Sequence, residues 1–400
     1  MKQNNNNHKV ILYPKKEESL KRYHPWVFSG AIKTKPAELQ EGDIVQVFSS
    51  TDEFLGVGHY QIGSIMVRIL SFKNEEIDES FYAKAIAAAY RLRCEINLIS
   101  KENNTYRLIH GEGDNLPGLI IDIYGETAVV QAHSAGMDRD KAKIVDALRS
   151  VFGDEKLKNI FYKSESTLPY KAEIETTDDY LYGGKNVDFT AVENGLKFNI
   201  DWLRGQKTGF FIDQRENRAL VESYAKDKSV LNMFCYTGGF SVYALRGGAK
   251  SVHSIDSSSK AVALAHKNVL LNFGDDTRHS SSSNDAFKFL RTCTPESYDM
   301  VILDPPAFAK HRGAVKNALQ GYKRLNLAAL QIINKGGFLF TFSCSQAISK
   351  EQFRLAVFSA AAISGRKVSI LHQLSQPADH PINIYHPEGE YLKGLVLYVE

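Results

Sequence analysis

Two residues that could carry chemistry each follow a buried, strand-like run of the chain. Cys344 stands in Thr-Phe-Ser-Cys-Ser, residues 341–345, after the apolar run 337–340, and Asp304 opens Asp-Pro-Pro after residues 298–303. A cysteine becomes a nucleophile when its proton leaves, because the thiolate is the reactive form. A thiol and an acid at strand ends therefore indicate covalent chemistry on a weak electrophile. The alternative is an inert cysteine that packs as a small hydrophobic residue.

The elements that must position these two residues form an alternation of strands and helices from about Asp201 onward. Such an alternation predicts an open, doubly wound α/β sheet of the Rossmann type. The predicted strands cover residues 229–234, 251–256, 298–303, 337–340, 367–371 and 394–399. Ligands in these sheets bind outside the carboxyl ends of the strands, so Asp304 and Cys344 should lie near one another there.

The turn after the first of these strands predicts a nucleotide site. It reads Cys-Tyr-Thr-Gly-Gly-Phe over residues 235–240, and a helix N-terminus behind it leaves backbone amides free. We expect a side chain at Gly238 or Gly239 to obstruct a ligand, and Asp256 at the end of the second strand to accept ribose hydroxyls. Because the turn lacks the dinucleotide pattern G-x-G-x-x-G, an adenosine ligand without pyrophosphate fits better, and S-adenosylmethionine is the first candidate.

The N-terminal part of the chain has a different pattern. Short, Gly-punctuated β segments from residue 12 to about residue 72 predict a small barrel. Trp26 and Phe28 lie close to Lys21 and Arg22, and aromatic rings beside cations suit stacking on RNA bases and pairing with phosphates. Alternatively, both rings belong to the core and the cations form a solvated face.

Between these two regions the sequence predicts a helix and a small β/α unit. Apolar residues at helical spacing cover residues 80–99, where Cys94 is expected to pack, and strand-like runs follow up to residue 163. Asn194-Gly195 predicts a hairpin. The predicted domains are therefore 1–75, 76–198 and 199–400.

The composition excludes several classes of protein. The chain has 400 residues, 43% hydrophobic and 24% charged, with a net charge of +3, which permits nucleic-acid binding without requiring it. Its four cysteines form no C-x-x-C pair, so we predict no zinc site, no disulfide framework and a reducing, cytoplasmic location. We also assign no other metal and no membrane span, and we expect the Asn-rich residues 1–10 to be a disordered tail.

One segment concentrates positive charge. Between Asp304 and Glu351 there is no acidic residue. The cations of this segment are Lys310, Arg312, Lys316, Lys323, Arg324, Lys335 and Lys350. Beside the two active loops they would form a positive rim that binds phosphates, whereas the alternative is an ordinary solvated helix face.

Six ordered motifs carry a resemblance over nearly the whole chain. They are His-Pro-Trp-Val-Phe-Ser-Gly at 24–30, Gly-Glu-Gly-Asp-Asn-Leu-Pro-Gly-Leu-Ile-Ile-Asp at 111–122, Lys-Thr-Gly-Phe-Phe-Ile-Asp-Gln-Arg at 207–215, Asn-Met-Phe-Cys-Tyr-Thr-Gly-Gly-Phe at 232–240, Asp-Pro-Pro-Ala-Phe at 304–308 and Ser-Cys-Ser at 343–345. With them the chain resembles the RlmI-type bacterial 23S rRNA cytosine-C5 methyltransferases. That family implies an N-terminal PUA-like RNA-binding domain, a small central α+β domain and a C-terminal class I methyltransferase domain.

The resemblance also implies roles for individual residues. Cys344 would be the nucleophile that adds to cytosine C6, since C5 is too poor a nucleophile to take a methyl group unaided. Asp304 would hydrogen-bond the cytosine edge near N3, and the target base would be flipped out or unpaired. The implied cofactor contacts are Gln214, Phe234, Thr237, Gly238, Asp256, Asn284, Asp285 and Asp304.

The chain departs from the wider pattern of RNA cytosine-C5 enzymes at one position. Many RNA cytosine-C5 enzymes have a second cysteine after the two prolines, where this chain has Ala307, so the base that removes the C5 proton is unassigned. DNA enzymes place their nucleophile in a Pro-Cys motif, so Ala307 also argues against DNA. Cys235 is a competing thiol, which we interpret as a wall of the cofactor site.

The alternative functions are an N7-guanine type base N-methyltransferase and a non-catalytic ribosome-assembly factor that binds RNA. The former shares the Asp-Gln-Arg and Asp-Pro-Pro motifs but lacks the catalytic thiol. The sequence leaves open the modified nucleotide, the choice between free rRNA and an assembled particle, and the oligomeric state, a homodimer included.

Overall fold

A computed structural model describes residues 8–169, 172–309 and 311–400, and these form two compact units. Unit 1 comprises the described residues of Met1–Phe189 together with Asp201–Phe210 and Ala378–Gly389. Unit 2 comprises Thr190–Ile200, the described residues of Phe211–Pro377, and Glu390–Glu400. The bounds of the three predicted domains stay a prediction.

The first part of unit 1 is a mainly antiparallel β structure. Its elements are β1 (His8–Leu12), α1 (Glu18–Lys21), β2 (Trp26–Phe28), β3 (Ile32–Thr34), β4 (Ile44–Phe48), β5 (Phe54–Tyr60) and β6 (Ile65–Ser71). The described strands form a sheet in the order β2-β6-β5-β4-β1-β3. Alternate residues such as Val45 and Val47 are buried on one face, as the period of a half-buried strand requires. The predicted small β domain is confirmed.

The rest of unit 1 is an α/β layer. Its elements are α2 (Glu79–Glu95), β7 (Thr105–His110), β8 (Leu119–Tyr124), β9 (Thr127–Ala132), α3 (Ala135–Arg139), α4 (Lys141–Lys156), β10 (Asn159–Tyr162) and β11 (Asp179–Tyr182). In the described chain these strands form a sheet in the order β11-β10-β9-β8-β7. Cys94 on α2 is exposed, so the expectation that it packs in the interior is wrong.

Unit 2 begins with a hairpin and continues as alternating strands and helices. The elements are β12 (Thr190–Glu193), β13 (Leu196–Asn199), α5 (Arg215–Tyr224), β14 (Ser229–Met233), α6 (Gly239–Arg246), β15 (Ser251–Asp256), α7 (Ser259–Phe273), β16 (His279–Ser283), α8 (Ala286–Thr292), β17 (Tyr298–Leu303), α9 (Val315–Ile332), β18 (Ile333–Ser343), α10 (Lys350–Ser364), β19 (Val368–Leu374) and β20 (Lys393–Val399). Asn194 and Gly195 both have positive φ, 48° and 78°, which is the backbone of the predicted two-residue hairpin turn.

The main sheet of unit 2 has the strand order β16-β15-β14-β17-β18-β20-β19 over the described residues. Strands β14 to β18 are parallel, and β20 runs antiparallel to both β18 and β19. The chain order reverses beside β14, which creates a crevice at the carboxyl ends of β14 and β17. The predicted class I, Rossmann-like sheet is therefore confirmed, with the site expected at that crevice.

Two local expectations need correction. Residues 8–10 belong to β1, so they are not part of a disordered tail, and residues 1–7 lie outside the described part of the chain. Residues 213–216 read Asp-Gln-Arg-Glu, a spacing that predicts a capping box with Asp213 in the cap position and Glu216 three residues further on. Instead α5 begins at Arg215 without a side-chain cap, and the Asp213 carboxylate accepts a hydrogen bond from the Tyr391 hydroxyl at 2.6 Å.

A buried ion pair holds the hairpin of unit 2 against α5 and α6. Arg218 donates through Nε and Nη2 to the two carboxylate oxygens of Glu193, at 2.8 Å and 2.6 Å. The Tyr243 hydroxyl donates to the same carboxylate at 2.9 Å, and Arg218 also donates to the Phe211 carbonyl at 2.9 Å. Both charged groups are thus desolvated but hydrogen-bonded, which makes removal of one partner costly.

We expect Glu193→Ala to lower the free energy of unfolding by about 3–5 kcal/mol, because it leaves the Arg218 guanidinium buried without its counter-charge. Urea denaturation followed by fluorescence measures this change. Glu222→Ala is the control, since its ion pair with Arg246 is partly exposed and should contribute about 0–1 kcal/mol. Equal losses in the two variants would contradict the interpretation.

Candidate functional site

The register of the parallel strands aligns the predicted site residues along one edge of the sheet. Met233 pairs with Ile255 on one side and with Leu303 on the other, and Leu303 pairs with Thr341. Adjacent strands lie about 4.8 Å apart, so the residues that follow these positions are near neighbours. The carboxyl edge of the sheet therefore contains Phe234, Asp256 and Asp304. The turn of Cys344, which follows β18, lies at the same edge, as predicted.

The turn after β14 has an unusual backbone. Phe234, Tyr236 and Gly238 have φ values of 60°, 44° and 75° in the left-handed region. Non-glycine residues in this region are uncommon and concentrate at functional sites. A Cβ at Gly238 would lie 2.8 Å from the Ala265 Cβ of α7, so packing within the protein requires glycine here, in addition to the ligand approach that the sequence predicted.

The polar residues predicted for the cofactor line the ends of β14, β15 and β16. Asp256 accepts the backbone N–H groups of Tyr236 at 3.1 Å and Ser258 at 2.9 Å, which orients its carboxylate and leaves further lone pairs available. Asn284 donates its backbone N–H to the Asp256 carbonyl at 2.9 Å, and Asp285 caps α8. The structure thus brings these residues together at one turn cluster.

Thr237 and Gln214 complete the predicted set around this turn. Thr237 is buried, and its carbonyl accepts from the Asn268 side chain at 2.9 Å. Gln214 is also buried, and its Nε2 donates to Asp304 Oδ1 at 3.1 Å, while Asn217 donates to Gln214 Oε1 at 2.6 Å. The predicted residue Gln214 therefore orients the acid of the Asp-Pro-Pro motif.

Asp304 is the most strongly perturbed acid of this edge. Desolvation, followed by the negative charge of Asp213, raises the pKa of the Asp304 carboxyl to about 7, while the Gln214 hydrogen bond acts in the opposite direction. At neutral pH a large fraction of Asp304 therefore carries a proton and can donate a hydrogen bond. Such a shift is typical of a residue that exchanges protons with a substrate.

Cys344 is partly exposed between two fully buried serines. Ser343 and Ser345 have no exposed surface, whereas the Cys344 side chain retains some, so the thiol is not sealed in the interior. Its Sγ lies 4.0 Å from the Pro305 carbonyl oxygen, in the residue directly after Asp304. The structure thus places the predicted nucleophile against the loop that carries the predicted acid.

A hydroxyl network that the sequence analysis missed fixes both loops. The Ser343 hydroxyl donates to the Tyr322 hydroxyl at 2.9 Å, and the Tyr322 and Ser345 hydroxyls lie 3.0 Å apart. Ala309 donates its backbone N–H to the Ser345 hydroxyl at 3.3 Å. Tyr322 lies on α9 and is fully buried, so it ties the turn of Cys344 to the end of the Asp-Pro-Pro loop. The Ser-Cys-Ser motif contains the two serines of this network, but nothing in the sequence pairs them with Tyr322.

Cys235, the competing thiol, has a different environment. It is 6% exposed, and desolvation together with the Asp256 charge raises its pKa well above the usual range of a thiol. A thiol held in its protonated form is a poor nucleophile. This environment supports the interpretation of Cys235 as a wall of the cofactor site.

The predicted RNA contacts of unit 1 are placed as follows. Lys21 Nζ lies 2.8 Å from a Glu53 carboxylate oxygen, and Arg22 lies 3.9 Å from Glu18. Trp26 is half-buried, its indole N–H donates to Glu112 at 2.8 Å, and Phe28 beside it is 45% exposed. The alternative of a buried Phe28 is wrong, and RNA binding by Lys21, Arg22 and Trp26 stays a prediction.

Three of the six described cations of the positive segment lie on α9, namely Lys316, Lys323 and Arg324. Arg312 and Arg324 are exposed and Lys323 is half-buried. Lys316 and Lys323 are seven residues apart, which places them on one face of the helix. Lys310, also predicted to bind RNA, lies outside the described residues. The phosphate-binding role of this rim stays a prediction.

One group of described residues in unit 1 has the spacing of a metal site. His24, His386 and Glu388 offer ligand atoms within 4.8 Å of one another. However, the Trp26 backbone N–H donates to His24 Nδ1 at 3.3 Å, which leaves the proton of the neutral ring on Nε2, the atom that faces Glu388 at 3.5 Å. A protonated nitrogen cannot coordinate a metal, so we assign none there.

Comparison with known proteins agrees with this geometry. The profile of the S-adenosylmethionine-dependent methyltransferase family matches residues 165–384, and that of the PUA-like domain matches residues 10–72. A structure from Streptococcus mutans, described provisionally as a SAM-dependent methyltransferase, has a TM-score of 0.83 and 25% identity, covering 98% of this chain and 100% of that one. A second structure with the same TM-score, identity and coverage is described as a methyltransferase complexed with SAH.

The fold and the site thus define a SAM-dependent methyltransferase with a PUA-like N-terminal domain. The "Ribosomal RNA large subunit methyltransferase I" of Pseudoalteromonas atlantica is 42% identical over 396 residues, covering 98% of this chain and 99% of that protein. The chain therefore belongs to the ribosomal RNA large subunit methyltransferase I family. No helix in the described ranges is long and apolar enough to cross a membrane.

The residues present fit S-adenosylmethionine. One oxygen of the Asp213 carboxylate, Oδ1, is buried and has no hydrogen-bond partner among residues 8–169, 172–309 and 311–400. The negative charge of this carboxylate also raises the pKa of Asp304. A buried acceptor without a donor is costly, so a positively charged or N–H-bearing ligand group is the natural partner. The left-handed turn at Gly238 and the carboxylate of Asp256 agree with the adenosine site that the sequence predicts, and their contact with adenosine stays a prediction.

The raised pKa of Asp304 predicts a pH dependence of stability. Between about pH 4, the pKa of an unfolded Asp, and about pH 7, the native state binds the proton more tightly than the unfolded state. The stabilisation is therefore fully present at low pH and is lost as pH rises through 7.

We expect Asp304→Asn, which cannot ionise, to gain stability relative to the wild type by at most about 2 kcal/mol between pH 5.5 and pH 8. Urea denaturation at both pH values measures this, with the exposed Asp227→Asn as the control. A constant difference between Asp304→Asn and wild type across this range would refute the assignment.

Proposed function

We propose that this protein is an S-adenosylmethionine-dependent rRNA methyltransferase that forms 5-methylcytosine in large-subunit (23S) rRNA through a covalent bond between Cys344 and cytosine C6. The observation that carries the proposal is the partly exposed Cys344 thiol, 4.0 Å from the carbonyl of Pro305 in the Asp-Pro-Pro loop. The name of the relatives supports large-subunit rRNA as the substrate.

Cys344 supplies the nucleophile. Addition of its thiolate to C6 forms a C–S bond and breaks the π bond between C5 and C6, which leaves electron density at C5. S-adenosylmethionine, when bound, supplies a methyl group on a positively charged sulfur, which suits an electron-rich C5. Loss of the C5 proton and of the thiolate then restores the aromatic ring and frees Cys344.

Asp304 supports the addition step. Attack at C6 pushes negative charge into the ring toward N3, so a proton donor at N3 lowers the barrier. A carboxyl with a pKa of about 7 holds a proton at neutral pH yet can release it. The Gln214 amide, at 3.1 Å, holds the same carboxyl in place.

The geometry favours this reaction over an N-methyltransferase. A methyl transfer to a ring nitrogen needs no thiol, since the nitrogen lone pair is itself the nucleophile. The Ser343, Tyr322 and Ser345 network presents a cysteine at the active edge, which such a reaction would not use. A non-catalytic RNA-binding factor would likewise need no raised pKa at Asp304.

We expect Cys344→Ala to reduce methyl transfer to rRNA by at least about 10³-fold, because C5 is then not activated. Transfer of tritiated methyl groups from S-adenosylmethionine to undermodified rRNA measures the rate. Cys293→Ala, which removes a thiol outside the proposed site, should retain activity. Full activity of Cys344→Ala would favour N-methylation, and an inactive wild type that still binds rRNA would favour the assembly factor.

RNA that contains 5-fluorocytosine should trap the covalent adduct, because fluorine at C5 cannot leave as a proton does. A complex stable to denaturing electrophoresis, and absent with Cys344→Ala, is the expected result. Peptide mass mapping of the complex should place the nucleotide on Cys344. An adduct on Cys235 would overturn the assignment of the nucleophile.

The positive rim predicts a salt-dependent contribution to RNA affinity. We expect Lys323→Glu with Arg324→Glu to weaken binding and to reduce the slope of log K against log salt by about 1.4, or about 0.7 for each lost phosphate contact. Fluorescence anisotropy with a rRNA fragment at several salt concentrations measures the slope. The control is Lys226→Glu with Lys267→Glu, an equal change of charge at exposed positions elsewhere in unit 2. Equal slopes in the two double variants would exclude the rim.

A further inference from the structure

We propose that Lys393 is a positioning residue for the nucleophile: its ammonium group fixes the turn that carries Cys344 and stabilises the thiolate form of that cysteine. This proposal rests on the proposed function in one respect, which is the reaction that the Cys344 thiolate performs. The interaction between the Lys393 and Cys344 side chains lies within unit 2 and can be tested without RNA or cofactor.

Lys393 lies directly opposite the turn. It is the first residue of β20 and pairs with Ser343, the last residue of β18, in the antiparallel ladder. Its Nζ donates to the Ser345 carbonyl and to the Ile348 carbonyl, both at 2.7 Å. The Ile348 backbone N–H also donates to the Ser345 carbonyl at 3.1 Å. Lys393 thus closes the turn that begins at Cys344.

The charge of Lys393 is buried, and no carboxylate of the described residues forms an ion pair with it. Lys393 is 4% exposed, and its two hydrogen-bond acceptors are neutral carbonyls. Desolvation lowers the pKa of its ammonium group to about 8, and the strongest opposing influence is the negative charge of the Cys344 thiolate. The attraction is mutual, so below about pH 8 the ammonium favours loss of the Cys344 proton.

Other charged groups around the pair act less directly. Glu390 raises the pKa of Lys393 and Lys350 lowers it, but these two residues pair with each other at a partly exposed position. On the α9 side, the Tyr322 hydroxyl is engaged by Ser343 and Ser345, and its pKa is raised mainly by burial. Lys393 is therefore the buried cation that acts on the thiol from this side.

A stabilised thiolate serves both halves of the proposed reaction. It raises the fraction of enzyme ready to add to C6, and it makes sulfur a better leaving group when the adduct collapses. The clamp on Ser345 and Ile348 also limits the positions that Cys344 can adopt. Reactivity and orientation would then come from one side chain.

The test is the pH dependence of Cys344 alkylation by iodoacetamide, followed by peptide mass spectrometry. In the wild type the midpoint should lie at least one pH unit below that of a Ser-Cys-Ser peptide measured in parallel. Lys393→Met keeps the length and apolar stem but removes the charge. We expect its midpoint to rise by about one unit, which lowers the alkylation rate at pH 7 by about tenfold.

Two further variants separate charge from structure. Lys393→Arg restores a cation and should recover most of the shift in midpoint. Lys163→Met removes a similar lysine of unit 1, which is buried and donates to the carbonyls of Trp202 and Gly205, so it controls for the loss of a buried clamp. Its Cys344 midpoint should equal that of the wild type.

The wild-type measurement tests the role of Lys393 even if Lys393→Met fails to fold. A wild-type midpoint equal to that of the peptide, or equal midpoints in folded Lys393→Met and wild type, would overturn the role of Lys393. The 5-fluorocytosine adduct is an independent readout. An adduct with a normal midpoint refutes Lys393 alone, whereas a lowered midpoint without any adduct refutes the cytosine chemistry alone.

Discussion

The register between β17 and β18 decides which side chains meet at the active edge. Leu303 pairs with Thr341, so Asp304 and the Ser343–Ser345 turn leave the sheet side by side. A slip of one residue would turn every side chain of a strand to the opposite face. Met300, Val301, Ile302 and Leu303 have no exposed surface, so a slip would force side chains of different size into close-packed positions on both faces of the sheet. The chemistry of the edge thus depends on the packing of the sheet beneath it.

Two ionisable groups near this edge are buried at a cost to the stability of the fold. Asp304 is an acid in a site that disfavours its charge, and Lys393 is a buried cation that forms no ion pair within the described part of the chain. Each of these two groups by itself lowers the stability of the folded protein, because burial of a charge is unfavourable. Hydrogen bonds hold both groups: Gln214 donates to the Asp304 carboxyl, and the Lys393 ammonium donates to two backbone carbonyls. Such a concentration of perturbed groups is expected where a protein catalyses a reaction rather than where it only folds.

The sequence predicted the strands of unit 2 well because buried parallel strands are continuous apolar runs with sharp ends. Ser251–Asp256 and Tyr298–Leu303 agree with prediction to the residue. The sequence did not predict that Ala378–Gly389 belongs to unit 1. There, Arg93 donates to the Asp379 carbonyl at 2.8 Å and the Arg107 N–H donates to its carboxylate at 3.0 Å, across more than 270 residues of chain. Periodicity reports on local structure and contains no information about such distant pairs.

The same limit applies to the site. The motifs identified Cys344, Asp304 and the turn at Gly238, but Tyr322 and Lys393 come from separate elements, and only tertiary structure brings them to the cysteine. Two thiols, those of Cys235 and Cys344, follow strands of this sheet. From the sequence alone, only the resemblance to a known family favoured Cys344 as the nucleophile. Their surroundings separate them physically. Burial and the Asp256 carboxylate keep Cys235 protonated, whereas Cys344 is partly exposed beside a buried cation. In the proposed reaction, the choice between these two thiols therefore depends less on their position after a strand than on the sign of the charge that the fold places near each of them.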